Sequence, residues 1–177
     1  MPDVILRPTT TADLDFVLAA ESDPENRRFV LQWPREQHIA AIDSSAFAHR
    51  IVEDARSGQS VGYMILMGLN GPHRSIEFRR LIITAKGCGY GRGAVRAIKR
   101  LAFEDLAAHR VWLDVKDFNH RARRLYESEG FQAEGLLREC YLGEAGFESV
   151  YVMSILQSEY RTAHTNAEKD LRQPPLL

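Results

Sequence analysis

The chain has 177 residues, 45% of them hydrophobic and 27% charged, with a formal net charge of −1. That length suits one domain with its own core, and the charge balance gives no electrostatic reason to expect nucleic acid or an anionic membrane as a partner. Two cysteines, six scattered histidines with no HxxxH pair, and an N-terminus (MPDVILRPTT) lacking a charged-then-apolar leader point to a cytoplasmic protein without disulfide framework, metal centre or membrane segment.

In chain order, Val4 to Arg7 is a short strand closed by Pro8, and Thr9 to Thr11 offer N-caps to a helix carrying Leu14, Val17 and Leu18 at helical spacing. The next stretch reads as short helical pieces broken at Pro24 and Pro34. Residues 46–53 and 60–69 form two strands around Ser57-Gly58-Gln59, the second apolar on both faces like a covered central strand. In SIEFRRLIIT, Ile76 and Phe78 share one face, whereas Leu81 and Ile83 fall one step out of phase. A β-bulge at Arg79-Arg80 produces such a slip; so does a strand that simply ends there.

Further along, Val95, Ile98, Leu101, Ala102 and Leu106 make an amphipathic helix, and HRVWLDVK is a strand with Val111, Leu113 and Val115 on one face. Asn119 caps a helix carrying Ala122, Leu125 and Tyr126 that stops at Gly130. Residues 131–142 and 147–156 close the fold as an antiparallel pair, and the polar residues 157–177 form a surface helix and tail. The whole chain, 1–177, is one domain with its core in 3–156.

Between strand and helix lies AKGCGYGRGA, with glycines at 87, 89, 91 and 93. Glycine permits positive φ and close backbone approach, and a helix start presents unpaired N–H groups and partial positive charge. A strand running through such a turn into a helix is an anion site, flanked here by Lys86 and Arg92. The nucleotide-hydrolase loop is excluded because no GK[ST] occurs at its spacing. Gly89, Gly91 and Ala94 fit the dinucleotide pattern GxGxxA, with Asp114 as a ribose-binding acid, but the chain leaves no room for the second set of parallel strands.

The third candidate is an acyl-coenzyme A pyrophosphate loop. Here Lys86-Gly87-Cys88-Gly89-Tyr90-Gly91 resembles the [Q/R]xxGxG/A motif of the GNAT superfamily of acyl-CoA-dependent N-acyltransferases, with Lys in the first place. A second block, Asn119, Ala122, Leu125, Tyr126, Gly130 and Phe131, is similar to the family's NxxAxxLYxxxGF segment at the expected distance. The resemblance covers residues 3–156 and is strongest over 79–139. EGLLRECY and VYVMSIL are similar to the branch holding ribosomal-protein N-terminal and polyamine acetyltransferases, although Ser149 stands where that branch has an aspartate.

The resemblance implies an α/β fold: one domain with a mixed, mostly antiparallel sheet of six or seven strands and helices on both faces. It implies acetyl-CoA as donor, held by Lys86, Gly87, Cys88, Gly89, Tyr90, Gly91 and Arg92, with a backbone N–H from Leu81, Ile82 or Ile83 receiving the oxyanion. Asn119 gains a hydrogen bond to pantetheine. Tyr126 becomes the acid for the leaving thiolate and Glu77 the base for the amine. The acceptor pocket is expected beneath the broken helices at 24–41, lined by Phe29, Trp33 and His38. The expected reaction is direct acetyl transfer in a ternary complex to a primary amine, on a small molecule or a peptide N-terminus. A homodimer is common in the family. A non-catalytic CoA-binding module and an NAD-dependent oxidoreductase stand as rivals.

Overall fold

The computed structural model describes residues 2–144 and 146–163. Seven strands among them pair into one sheet: β1 (Val4–Pro8), β2 (Phe47–Asp54), β3 (Ser60–Met67), β4 (Ser75–Ile83), β5 (Arg110–Lys116), β6 (Gln132–Gly143) and β7 (Gly146–Leu156), in the spatial order β1-β2-β3-β4-β5-β7-β6. Only β4 and β5 run parallel; every other neighbouring pair is antiparallel. That single parallel pair removes the doubly wound sheet that the dinucleotide alternative required.

The helices fall on both faces. On one lie α1 (Leu14–Ser22), α2 (Pro24–Arg27) and α3 (Arg35–Asp43). There Val17, Ala20 and Ala41 pack on Ile51, Tyr63, Ile65 and Ile82. On the other lie α4 (Tyr90–Arg100) and α5 (His120–Ser128). Here Val95, Ile98 and Leu125 meet Met64, Leu66, Phe78, Val111, Leu113 and Met153. The strand β3 is buried from Val61 to Leu66 because both faces are covered, as its unbroken apolar run requires.

The local signals place most boundaries. Thr10 and Asp13 make a capping box before α1, and Arg7 grips Asp13 through two bonds of 2.9 Å. Asn119 Oδ1 accepts from the Ala122 N–H at 3.2 Å, and Gly130 ends α5 at φ +92°. The helix expected to run to Leu106 is α only to Arg100; Leu101–Asp105 is a π-helical turn, closed by Leu106 N–H on Leu101 O at 3.0 Å. Residues 157–163 are helical, with Tyr160 stacked on Phe103 at 4.8 Å. The rest of the expected tail lies outside the described residues.

The phase slip in β4 is a bulge. Ile65 pairs with Arg80 and the next residue, Leu66, with Phe78, so Arg79 is the extra residue. Ile76 and Phe78 therefore pack with α4, and Leu81 returns to that face after the bulge. Arg79 and Arg80, consecutive in sequence, both face α1 and α3. The same irregularity aims β4 away from β5: their pairing runs only over Ser75–Arg110, Ile76–Val111 and Glu77–Trp112. Beyond Glu77 the sheet opens into a gap, and among the described residues the edge of Leu81, Ile82 and Ile83 facing it has no strand partner.

Candidate active site

The gap between β4 and β5 opens beyond Glu77, where the pairing of the two strands ends. On the α4/α5 face, β4 runs into the glycine turn. Gly87 has φ +82°, and Gly89, the N-cap of α4, has φ +86°, a left-handed conformation costly for residues with a Cβ. No side chain caps this helix, and its first internal backbone bond is Gly93 N–H to Gly89 O at 3.2 Å. The amides of Tyr90, Gly91 and Arg92 are thus the helix's unpaired donors, at its positive end. A helix start of this kind can hold an anion through its main chain.

Side chains around the turn brace it. Tyr90 donates its hydroxyl to Asp54 at 2.8 Å, pinning the helix start to the β2–β3 turn. Lys86 Nζ meets Glu25 at 2.8 Å, an exposed pair of small energetic weight. Arg92 reaches Glu129 at 3.3 Å, a buried carboxylate that Arg96 and Lys99 also hold. Cys88 is exposed, and its thiol lies 3.6 Å from the Lys86 carbonyl.

Tyr126 projects from α5 beside the gap, its ring edge-on to Phe78 at 5.8 Å and tilted against Phe131. Burial, then the charge of Asp114, raises its phenol above the ordinary tyrosine value. The hydroxyl stays protonated and available as a donor.

On the α1/α3 face, a cleft of about 500 Å³ is lined by Trp33, Gln37, Ala40, Ala41, Ser44, Phe47, Met67, Glu77 and Arg79. Glu77 is the last residue of β4 paired with β5, so its carboxylate stands where the gap opens. It meets Arg79 at 3.1 Å. Burial pushes the Glu77 carboxyl above the ordinary glutamate value; Asp114 adds to the rise and Arg79 partly offsets it. A carboxylate so placed is a better proton acceptor than an exposed one.

Of the three residues expected to line an acceptor pocket, Trp33 borders this cleft. Phe29 instead packs on Phe118 at 5.8 Å, in the loop before α5. His38 is fully buried behind Trp33, its ring centroid 5.4 Å from the indole. Asn119 spends its side-chain oxygen on the α5 cap.

Asp114, which the sequence offered only as a ribose-binding acid, also borders this region. It lies on the half-buried face of β5, accepts the Tyr141 hydroxyl at 2.9 Å, and its charge acts on Glu77, Arg79 and Tyr126. Its alternation with Trp112 and Lys116 carried the signal, but only the divergence of β4 shows that this face borders a gap. A separate hollow of about 580 Å³, lined by Leu136, Leu137, Arg138, Glu139 and Cys140 of the edge strand β6, contains none of these groups.

The family model described as Acetyltransferase (GNAT) domain matches residues 3–132. Spermidine N(1)-acetyltransferase of Vibrio cholerae is 34% identical over 120 residues, covering 67% of this chain and 69% of that protein. An uncharacterized N-acetyltransferase of Mycobacterium tuberculosis is 35% identical over 130 residues, 66% of this chain and 81% of that one. The Vibrio cholerae spermidine N-acetyltransferase structure in complex with CoA and spermine superposes with a TM-score of 0.81 at 29% identity, covering 89% of this chain and 98% of that chain. A dodecameric structure of the Vibrio cholerae enzyme gives 0.76 at 30% identity, covering 89% and 96%.

Proposed function

This chain belongs to the GNAT acetyltransferase family and is an acetyl-CoA-dependent N-acetyltransferase, and we propose that it acetylates a primary amine on an aliphatic chain, with polyamines as the leading class. One observation carries the mechanism. The main-chain anion cradle and the apolar cleft lie on opposite faces of one sheet, joined by the β4–β5 gap. A thioester entering from the α4 side and an amine entering from the α3 side meet in that gap, so transfer is direct, within a ternary complex.

Glu77 takes the proton of the bound ammonium, directly or through water, and the freed amine attacks the thioester carbonyl. A main-chain N–H on the unpartnered edge of Leu81, Ile82 or Ile83 receives the developing oxyanion, an interaction worth roughly 3 kcal/mol in other enzymes. When the intermediate collapses, the C–S bond breaks, Tyr126 delivers a proton to the departing thiolate, and the phenolate regains one from the nitrogen as the amide forms. Gly87, Gly89 and the first amides of α4 hold the donor's pyrophosphate, with Lys86, Cys88, Tyr90, Arg92 and Asn119 around its path.

The acceptor's aliphatic stem rests on Trp33, Phe47 and Met67, and its ammonium meets Glu77 with Asp114 nearby. The 34% identity to a spermidine acetyltransferase supports a polyamine. One feature favours a second reading: apart from Glu77, the polar residues lining the cleft are Gln37, Ser44 and Arg79. That set suits an acceptor with a single ammonium, such as a peptide N-terminus. Thiol release measured with spermidine, spermine, a simple alkylamine and short peptides tests both. The polyamine proposal expects the highest kcat/KM with spermidine or spermine; a peptide above them selects the second. CoA binding without thiol release from any amine would leave a non-catalytic binding module. The dodecamer of the Vibrio cholerae enzyme supports self-association of this chain as well.

A further inference from the structure

Behind the cleft wall lies a set of buried polar side chains that acetyl transfer does not use. Glu21, Arg80, Tyr63, His38 and His49 are each no more than 5% exposed. They sit among Val17, Ala20, Ile51, Ile65 and Ile82, where an unpaired charge is strongly disfavoured. The carboxylate of Glu21 accepts from Arg80 Nη1, from the Tyr63 hydroxyl, and from the main-chain N–H of Trp33 at 3.0 Å. His38 Nε2 lies 3.2 Å from the same carboxylate, poorly aligned for a hydrogen bond. Its Nδ1 meets His49 Nε2 at 3.0 Å, and His49 Nδ1 meets Thr9 Oγ1 at 2.9 Å.

The other half of the pair grips the same segment. Arg80 Nη2 donates to the Leu31 carbonyl, and its guanidinium lies 4.8 Å from the centre of a Trp33 ring. Gln32 Nε2 donates to the Glu21 carbonyl at 3.2 Å. Residues 31 to 33 are therefore tied one after another to Glu21 or Arg80. Arg80 is also half of the bulge whose other half, Arg79, holds Glu77.

We propose that the buried Glu21–Arg80 pair is a positioning device for the acceptor site, fixing the Leu31–Trp33 wall and the Arg79-Arg80 bulge in one register so that Trp33 and Glu77 face the same cleft. The inference rests on the cleft being the acceptor site. Neither residue touches the reacting atoms. Their effect falls on acceptor binding and leaves the donor loop, on the opposite face of the sheet, alone.

The test uses the full chain with Trp112→Phe, which leaves Trp33 as the sole tryptophan of the two present. Two variants are compared: Glu21→Gln, which strands the Arg80 charge, and the double variant Glu21→Leu/Arg80→Met, whose apolar replacements of similar size preserve the fold. In both, acrylamide quenching of Trp33 should rise about threefold and acceptor KM about tenfold, with acetyl-CoA Kd changed by less than about twofold. A folded double variant with unaltered quenching and acceptor KM would overturn the proposal. So would donor and acceptor constants rising together, the mark of a purely structural pair. If the parent protein turns over no amine, the acceptor-site assignment fails, while the quenching data still decide whether the pair holds Trp33.

Discussion

The ring of Tyr126 stands edge-on to that of Phe78, 5.8 Å between centroids and 76° between planes. Phe78 is the last β4 residue before the bulge, so this contact bridges a strand and a helix on either side of the gap. It fixes the ring without engaging the hydroxyl. Tyr126→Phe should therefore keep the packing and remove only the proton source. Turnover is expected to fall by roughly 10²- to 10⁴-fold, with acetyl-CoA affinity and melting temperature nearly unchanged. The loss should shrink with an acyl donor whose thiol leaves more readily. Wild-type turnover in the folded variant would remove Tyr126 from the mechanism.

Glu77→Gln keeps the size of the side chain and deletes its basicity. A loss of roughly 10²-fold in kcat is expected. In the parent enzyme the acid limb of the kcat–pH profile should have its midpoint above the ordinary glutamate value of 4.5, because burial raises this carboxyl. Activity therefore rises with pH through that midpoint as the base deprotonates. The limb should vanish in the variant; an identical limb in both proteins would place the base elsewhere.

Donor binding should depend on the main chain of the glycine turn. Gly89 has φ +86°, and a Cβ there would lie 3.1 Å from Pro2 Cδ. Gly89→Val is expected to weaken acetyl-CoA binding by more than about tenfold, through both left-handed strain and crowding of the cradle. Lys86→Ala should cost far less, since that charge is solvent-facing, paired with Glu25 and screened. Calorimetric titration of acetyl-CoA into both variants checks the order; the reverse order would move the pyrophosphate off the loop.

Acid should destabilise the protein through His49. Burial, with His38 and Arg80 as neighbours, lowers its ring to about 3 from the ordinary 6.5. Below 6.5 the unfolded chain binds a proton that the native state refuses, so stability present above that pH is lost progressively as pH falls toward 3. The slope from this group approaches about 1.4 kcal/mol per pH unit. Denaturant midpoints between about pH 7 and pH 5 should decline less steeply in His49→Gln. Equal slopes would assign the acid sensitivity to other groups.

The sequence alone determined what depends on neighbours along the chain. Alternation and helical spacing located the strands and most helix ends, the glycine turn offered an anion site, and the phase slip at Arg79-Arg80 allowed either a bulge or a strand end. These are local matters of φ, ψ and side-chain period, and they survive any arrangement of the remaining chain. The acceptor side is different: Gln37, Ser44, Phe47, Met67 and Glu77 meet only because α3 lies across β2, β3 and β4. Its place in the broken helices at 24–41 suggested that His38 would line this pocket. Tertiary structure instead buries it completely, because the Glu21 carboxylate and the His49 ring, brought from α1 and β2, supply polar neighbours that no local spacing reveals. Asp114 shows the same division. Its place on β5 was readable, but its action on Glu77 and Tyr126 depends on the pairing of β5 with β4 and on where α5 packs.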